Sequence, residues 1–245
     1  MFEAILLSCI AGFGSFTQGL AGVGVVLVAL PLMALILDVK TVIVLVNLLA
    51  LSINIVLGVH LFKHMRARHL IPLLVGAVPG IPAGVLVLKA VSPEVLQILL
   101  GLVLLGYAGY ALSGLLSQRE TRMAWAYVAG FLGGCLGGAI TASGPPIIIY
   151  TALQPWTKDR IKATMIGFFL ITTIAITAMH AATGMITPAV LSGYCSALPG
   201  LALGLWGGMR CYGRISDTVY RRIITYLLLI LGIILLVKGL WHTLA

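Results

Sequence analysis

Apolar residues fall in eight long segments that are separated by short polar stretches. Six of the segments contain about 19 to 23 residues, the length that one helix needs to cross the hydrocarbon core of a membrane. These six predicted spans are residues 41–62, 70–88, 95–117, 163–182, 188–208 and 223–241. The pattern therefore predicts an all-α protein that crosses a membrane several times.

The other two segments, 4–37 and 124–153, are too long for a single crossing. At ~1.5 Å per residue they would reach about 50 and 45 Å, against a hydrocarbon core of ~30 Å. Their centres read GFGSFTQGLAGVG and GFLGGCLGGAITASGPP. Glycine and proline weaken a helix at its centre. We therefore expect each segment to form two half-helices with a break between them.

Short sequence matches indicate an internal duplication. The motif AGF at 11–13 recurs at 129–131, and PGIPAG at 79–84 is matched by PGLALG at 199–204. The predicted repeats are 1–118 and 119–245. Each repeat would consist of one broken segment, 4–37 or 124–153, followed by three ordinary spans.

Composition supports the membrane assignment, because 61% of the residues are hydrophobic and only 9% are charged. A soluble domain contains about 25% charged residues. The formal net charge of +9 does not indicate nucleic-acid binding, since the basic residues lie in short loops between apolar segments. That distribution is typical of the positive-inside rule for membrane proteins.

The loop charges also favour one topology. If every apolar segment crosses once, the fifteen basic residues divide almost evenly between the two faces of the membrane. If the two long segments instead enter and return on the same side, twelve of the fifteen share one face, as the positive-inside rule requires. The twelve are Lys63, Arg66, Arg68, Arg119, Arg122, Lys158, Arg160, Lys162, Arg210, Arg214, Arg221 and Arg222. We therefore predict six spans, two re-entrant hairpins and both termini outside the cell membrane.

This topology points to a permeation path. Three crossings per repeat place the two repeats in inverted orientation, and their hairpin tips are expected to meet near the middle of the membrane. Inverted repeats with discontinuous helices are typical of secondary transporters, which bind substrate at the helix breaks and alternate its access to the two sides. A passive channel could use the same elements and stays open as the alternative.

The stretch TASGPP in the second hairpin supplies the first candidate binding residues, Thr141, Ser143 and Gly144. We expect Ser143 to be the N-cap of the second half-helix and Pro145 to lie in its first turn. Free amides at a helix N-terminus attract anions. The corresponding candidates in the first hairpin are Thr17, Gln18 and Gly22. The alternative for such small residues is close helix packing.

Two ordinary spans carry further polar candidates. Asn47 and Asn54 are seven residues apart and so lie on one helical face. Thr173, Thr177 and His180 share a face of the predicted span 163–182. A threonine can also bond its own helix, which would leave Thr173 and Thr177 without a role in binding. His180 is either a proton carrier at membrane level or a residue at the membrane interface.

Absent features narrow the chemistry. The six acidic residues lie at termini, in loops or at span ends, so a cation substrate is not expected. No P-loop, HExxH motif or membrane aspartate pair is present, and we expect no enzymatic activity, no cofactor and no metal. The expected partners are a small anion and membrane lipid, not nucleic acid, with a homodimer left open.

Three stretches resemble the sulfite exporter TauE/SafE family of permeases. They are AGFGSFTQGLAGVGVVLVALPLM (11–33), KHMRARHL (63–70) with PLLVGAVPGIPAGVLV (72–87), and AGFLGGCLGGAITASGPPIIIY (129–150). The resemblance covers essentially the whole chain and rests on the order of these motifs. It implies a permease of the inner membrane for sulfite, organosulfonates or another small organic anion.

Overall fold

The computed structural model describes residues 2–22, 24–113, 122–211, 226, 229–237 and 239–241, and in these ranges it contains helices and no strand. The helices are α1 (Phe2–Ala21), α2 (Val25–Met33), α3 (Val39–Leu61), α4 (Ala67–Ala90), α5 (Pro93–Leu112), α6 (Ala124–Ile140), α7 (Gly144–Leu153), α8 (Lys158–Ala182) and α9 (Pro188–Cys211). A short 3₁₀ turn, Phe62–His64, joins α3 to α4. Residues 229–237 and 239–241 are helical as well.

Six of these helices are long and apolar enough to cross a membrane. The six stretches are Glu3–Ala21, Val39–His64, Ala67–Ala90, Pro93–Tyr110, Asp159–Ala182 and Pro188–Cys211. The last five correspond to predicted spans, which confirms a multi-pass membrane protein. The sixth predicted span, 223–241, lies partly outside the described residues, as do the loop charges Arg119, Arg214, Arg221 and Arg222. The first stretch is part of the predicted first hairpin.

Both predicted breaks are present. Residues 22–24 separate α1 from α2, and residues 141–143 separate α6 from α7. Gly22 has a φ of 80°, a left-handed conformation that costs glycine little. Gly24 also has a positive φ, 156°, and a Cβ atom there would overlap the hydroxyl of Thr17, so this position favours glycine as well.

Each pair of half-helices folds back on itself. A Cβ atom added to Gly14 of α1 would lie 3.1 Å from Cβ of Ala29 in α2. One added to Gly133 of α6 would lie 3.2 Å from Cδ1 of Ile147 in α7. Met123 and Gln154, at the two ends of the second hairpin, line the same cavity. The hairpins therefore have the shape that a re-entrant segment requires. The assignment of one face of the membrane as cytoplasmic stays a prediction.

The chain forms two compact units that interleave the two halves of the sequence. Unit 1 consists of Met1–Val46, Val91–Leu115 and Pro188–Ala245, and unit 2 of Asn47–Ala90 and Leu116–Thr187. Each unit contains one hairpin and helices from both predicted repeats. The repeats 1–118 and 119–245 are therefore not the compact units, and the duplication itself stays a prediction.

In unit 1, α1 and α9 run parallel in close contact. Cβ atoms at Gly200, Gly204 and Gly208 of α9 would overlap the carbonyl oxygens of Ser8, Gly12 and Phe16 respectively. The hydroxyl of Ser8 also accepts a hydrogen bond from the backbone N–H of Gly200, at 2.9 Å. Such close backbones permit van der Waals contacts and weak Cα–H···O bonds, which hold helices together in lipid.

Unit 2 repeats this packing with α4 and α6. Cβ atoms at Gly76, Gly80 and Gly84 would overlap the carbonyl oxygens of Tyr127, Phe131 and Cys135. Both pairs thus place one glycine against one carbonyl oxygen at every fourth residue, which is the packing that a duplication would produce. The matching motifs PGIPAG and PGLALG align Gly80 with Gly200. When the three glycine contacts of each pair are instead numbered along the helix, Gly76 corresponds to Gly200, and this alignment is shifted by one helical turn.

We expect Gly80→Ala and Gly204→Ala each to destabilise the protein by about 1–3 kcal/mol, the usual cost of overpacking. The added methyl groups would meet backbone atoms, which cannot rotate away. The measurement is the midpoint of thermal unfolding in detergent. Gly109→Ala in α5 is the matched control, since its Cβ would have no atom within 4 Å. Equal midpoints for all three variants would contradict this packing.

Candidate functional site

The turn between α6 and α7 is held by backbone bonds to the end of α6. The N–H of Thr141 donates to the carbonyl of Gly137 at 2.8 Å, and that of Ala142 to Leu136 at 3.2 Å. Thr141 has a φ of 57°, and among the described residues other than glycine it alone has a positive φ. A left-handed threonine is rare and costs energy, and such strain is common at ligand sites.

Ser143 occupies the N-cap position of α7, as predicted, but it does not have the usual geometry of a cap. Its backbone is helical, with φ −63° and ψ −16°, and its side chain makes no capping hydrogen bond. An N-cap residue normally has extended dihedral angles, which aim its oxygen at the first turn. The hydroxyl of Ser143 instead lies against α6, where a Cβ atom at Gly137 would overlap it.

The start of α7 therefore keeps uncapped amides. A helix has four N-terminal amides without an intrahelical partner. Pro145 is in the first turn, as predicted, and Pro146 follows it, so two of these positions have no N–H. Ser143 and Gly144 carry the remaining donors. A Cβ atom at Gly144 would touch only Cδ1 of Ile148, at 3.5 Å, so the space beside this residue is open.

A second group of polar side chains comes from α3 and α8. Asn47 is fully buried, and its Nδ2 donates to Oγ1 of Thr177 at 2.8 Å. The Oδ1 atom of Asn47 is buried without a partner. The two ends of an amide are assigned from their hydrogen bonds, and either assignment leaves one end of Asn47 unpaired. A buried unpaired polar group costs about 1–3 kcal/mol, so a ligand or water is expected there.

His180 and Thr173 lie on the same face of α8 as Thr177. His180 is fully buried, and neither ring nitrogen has a hydrogen-bond partner. Its predicted role, as a proton carrier or as a residue at the membrane interface, stays a prediction. The hydroxyl of Thr173 donates to the carbonyl of Phe169, at 2.6 Å, so it is occupied by its own helix. Asn54 is buried on α3. The α8 face thus presents one occupied hydroxyl, one hydroxyl bound to Asn47 and one unpartnered imidazole.

The turn and α8 meet at Gly137. A Cβ atom at this residue would lie 3.2 Å from Cδ1 of Ile176, in addition to overlapping the hydroxyl of Ser143. Ile176 is the neighbour of Thr177 and lies one turn from His180. Within unit 2 the second hairpin turn therefore contacts α8, the helix that carries His180 and Thr177, and Thr177 is the hydrogen-bond partner of Asn47 in α3. Sequence reasoning did not single out Gly137 or Ile176, which lack polar side chains.

The candidates of the first hairpin, in unit 1, bind their own backbone. The Oε1 atom of Gln18 accepts a hydrogen bond from the N–H of Val25 at 3.1 Å, which caps the start of α2. Thr17 donates to the carbonyl of Gly14 at 2.7 Å, and Gly22 donates its N–H to the carbonyl of Gln18 at 2.7 Å. These bonds hold the first turn together, and substrate contacts of Thr17, Gln18 and Gly22 stay a prediction.

The hydrogen-bond donors of this candidate site suit a small anion. The groups in unit 2 are two backbone amides, hydroxyls, an amide side chain and an imidazole. Among the described residues no cluster of three His, Cys, Asp or Glu could hold a metal ion. Glu3, Asp38, Glu94 and Asp159, the acidic residues that the structure describes, lie in the first turns of helices or just before one.

The fold and the breaks define the class of protein: a multi-pass membrane protein with two broken helical hairpins. The chain belongs to the sulfite exporter TauE/SafE family, whose sequence model matches residues 6–235. It is also similar to a protein of Cupriavidus necator named "Probable sulfite/organosulfonate exporter TauE". The two are 28% identical over 225 residues, which cover 89% of this chain and 87% of the relative. No solved structure matches the chain.

We expect Gly137→Ala to lower stability by about 1–3 kcal/mol, because the new methyl group displaces the hydroxyl of Ser143. Ser143→Ala alone should cost less than about 1 kcal/mol, since no capping bond is lost. The double variant should recover much of the loss. Thermal unfolding of the three proteins in detergent measures this coupling. Strictly additive losses would contradict the contact between Gly137 and Ser143.

Proposed function

We propose that the protein is a secondary transporter that moves sulfite, organosulfonates or related sulfur oxyanions across the inner membrane by alternating access, with both termini outside. Membership of the TauE/SafE family supports transport of such anions, and the name of the Cupriavidus necator relative supports the substrate class. The family consists of exporters, so catalysis is not part of the proposal.

The observation that carries the proposal is the set of unsatisfied polar groups in unit 2. The uncapped start of α7 offers the amides of Ser143 and Gly144, and Asn47 and His180 are buried with unpaired atoms. Burying such groups without partners is costly, and an oxyanion supplies several acceptors at once. A helix N-terminus adds a favourable dipole for a negative charge.

Each residue receives a role in this proposal. Ser143 and Gly144 bind the anion through their backbone amides, and the left-handed Thr141 sets the direction of those amides. Asn47 donates to the anion through Nδ2, in the amide orientation in which Thr177 donates its hydroxyl to Oδ1 and so positions the group. His180 donates a hydrogen bond to the anion or carries a proton with it. Asn54 and Thr173 border the site.

The test of function is counterflow in proteoliposomes. Vesicles are preloaded with unlabelled sulfite and exposed to labelled sulfite, with sulfate, thiosulfate, a sulfonate and chloride as competitors. A carrier gives transient accumulation of label above equilibrium, and the order of the competitors identifies the preferred anion. Simple equilibration that no competitor slows would instead identify a passive channel. Flux equal to that of empty liposomes would reject sulfite as a substrate.

Two threonines of α8 give a matched comparison of roles. We expect Thr177→Val to weaken transport about three- to tenfold, since it removes the partner that orients Asn47. Thr173→Val should leave transport within about twofold of wild type, because that hydroxyl is bonded to its own helix. Initial rates of sulfite counterflow at several concentrations measure both variants. Equal losses in the two would remove Asn47 and Thr177 from the site.

A further inference from the structure

A polar cavity lies in unit 2, at the opposite end of α7 from the hairpin turn. It has a volume of about 420 Å³ and is lined by the beginnings of α4 and α8, the end of α7 and the α7–α8 connection. The side chains used below are Arg68, His69, Tyr150, Gln154, Trp156 and Arg160. At ~1.5 Å per residue the ten residues of α7 separate it from the turn by about 15 Å. The two sites are therefore distinct.

Aromatic rings form one wall of this cavity. The rings of His69 and Trp156 are stacked, with centroids 4.1 Å apart and planes at 19°. Tyr150 meets Trp156 edge to face, with centroids 6.3 Å apart and planes at 79°. Stacked and edge-to-face pairs of this kind are favourable beyond their apolar burial, so the wall is held in place.

The charges at the cavity have one sign. Arg68 comes from the first turn of α4 and Arg160 from the first turn of α8, and no acidic residue is among the lining residues. Asp159, the neighbour of Arg160, is exposed and does not line the cavity. A guanidinium group is a planar fork of donors that matches the oxygen atoms of phosphate and sulfonate groups.

His69 adds an unsatisfied group. Its Nδ1 atom is buried and has no hydrogen-bond partner, although the ring is fixed against Trp156. Gln154 is buried beside it in the cavity lining. Polar atoms in such surroundings normally have protein, water or ligand partners. The combination of two guanidinium groups, a fixed imidazole and an aromatic wall is that of a site for an oxyanion with an apolar part.

We propose that this cavity binds the oxyanion head of a molecule that carries an organic group: a sulfonate or a phosphate. The two arginines bind the charged oxygens, and the rings of Trp156 and Tyr150 contact the organic part. A soluble organosulfonate and the phosphate of an anionic lipid share this chemistry. The inference does not depend on transport, because it concerns a site away from the hairpin turn.

Tryptophan fluorescence of the purified full-length chain in detergent tests the site. The probes are a short-chain alkyl sulfonate, sulfite, inorganic phosphate and short-chain phosphatidylglycerol. Trp156→Phe identifies the part of the signal that comes from the cavity. Arg68→Gln and Arg160→Gln each remove one positive charge from the lining. Lys63→Gln is the matched control, since Lys63 is exposed in the neighbouring turn and does not line the cavity.

We expect at least one probe to change the Trp156 signal saturably, with Arg68→Gln and Arg160→Gln raising the Kd about tenfold and Lys63→Gln changing it less than twofold. Saturation by the sulfonate would identify a soluble ligand, and saturation by phosphatidylglycerol alone a lipid phosphate. No saturable Trp156 signal with any probe, or equal effects of Lys63→Gln and Arg68→Gln, would overturn the proposal. If a glutamine variant does not fold, Arg68→Lys or Arg160→Lys replaces it. An unchanged Kd of the lysine variant would contradict the proposed contact between the guanidinium fork and the oxygen atoms of the ligand.

Failure of this site and failure of the transport proposal are distinguishable. Thr177→Val is expected to weaken transport and leaves every residue of the cavity lining in place. Its fluorescence titration should therefore match that of the wild type whatever its transport rate. A protein that shows no sulfite flux but gives the Trp156 response would contradict only the transport proposal. A protein that transports sulfite but gives no Trp156 response would contradict only the cavity proposal.

Discussion

A helix that stops inside a membrane leaves backbone amides and carbonyls that water cannot reach, and each of them needs a partner. The two hairpins of this protein meet that requirement differently. The first turn is closed by its own chain, because Gln18 caps the start of α2. In the second turn the carbonyls at the end of α6 are bonded by residues 141 and 142, but the start of α7 has no side-chain cap. This difference is the reason for proposing that the ligand binds at the second turn.

The surroundings of the second turn fit the same interpretation. Its prolines lower the number of free amides, so few donors remain and they are close together. Asn47 and His180 bring unsatisfied polar atoms from two other helices of the same unit. Full burial of these groups would lower stability if they served no ligand. The proposed ligand would offset this cost by supplying partners to these groups.

Sequence reasoning was most successful where the signal is local. The length of segments 4–37 and 124–153, together with their central glycines, was enough to predict two broken hairpins. It failed where the outcome depends on distant residues: the hydroxyl of Ser143 turns toward Gly137 rather than the first turn of α7. The interleaving of the two sequence halves in each compact unit was also not predicted, because parallel pairs such as α4–α6 form between residues far apart in sequence.

The glycine contacts between α4 and α6 have a mechanical consequence. A carbonyl oxygen of α6 occupies the space over a glycine of α4 at three successive turns. Sliding one helix along the other by less than a full turn would drive those oxygens into the bulkier residues between the glycines. Rotation of either helix about its axis meets the same obstacle. Any rearrangement that opens unit 2 must therefore carry α4 and α6 as one rigid pair.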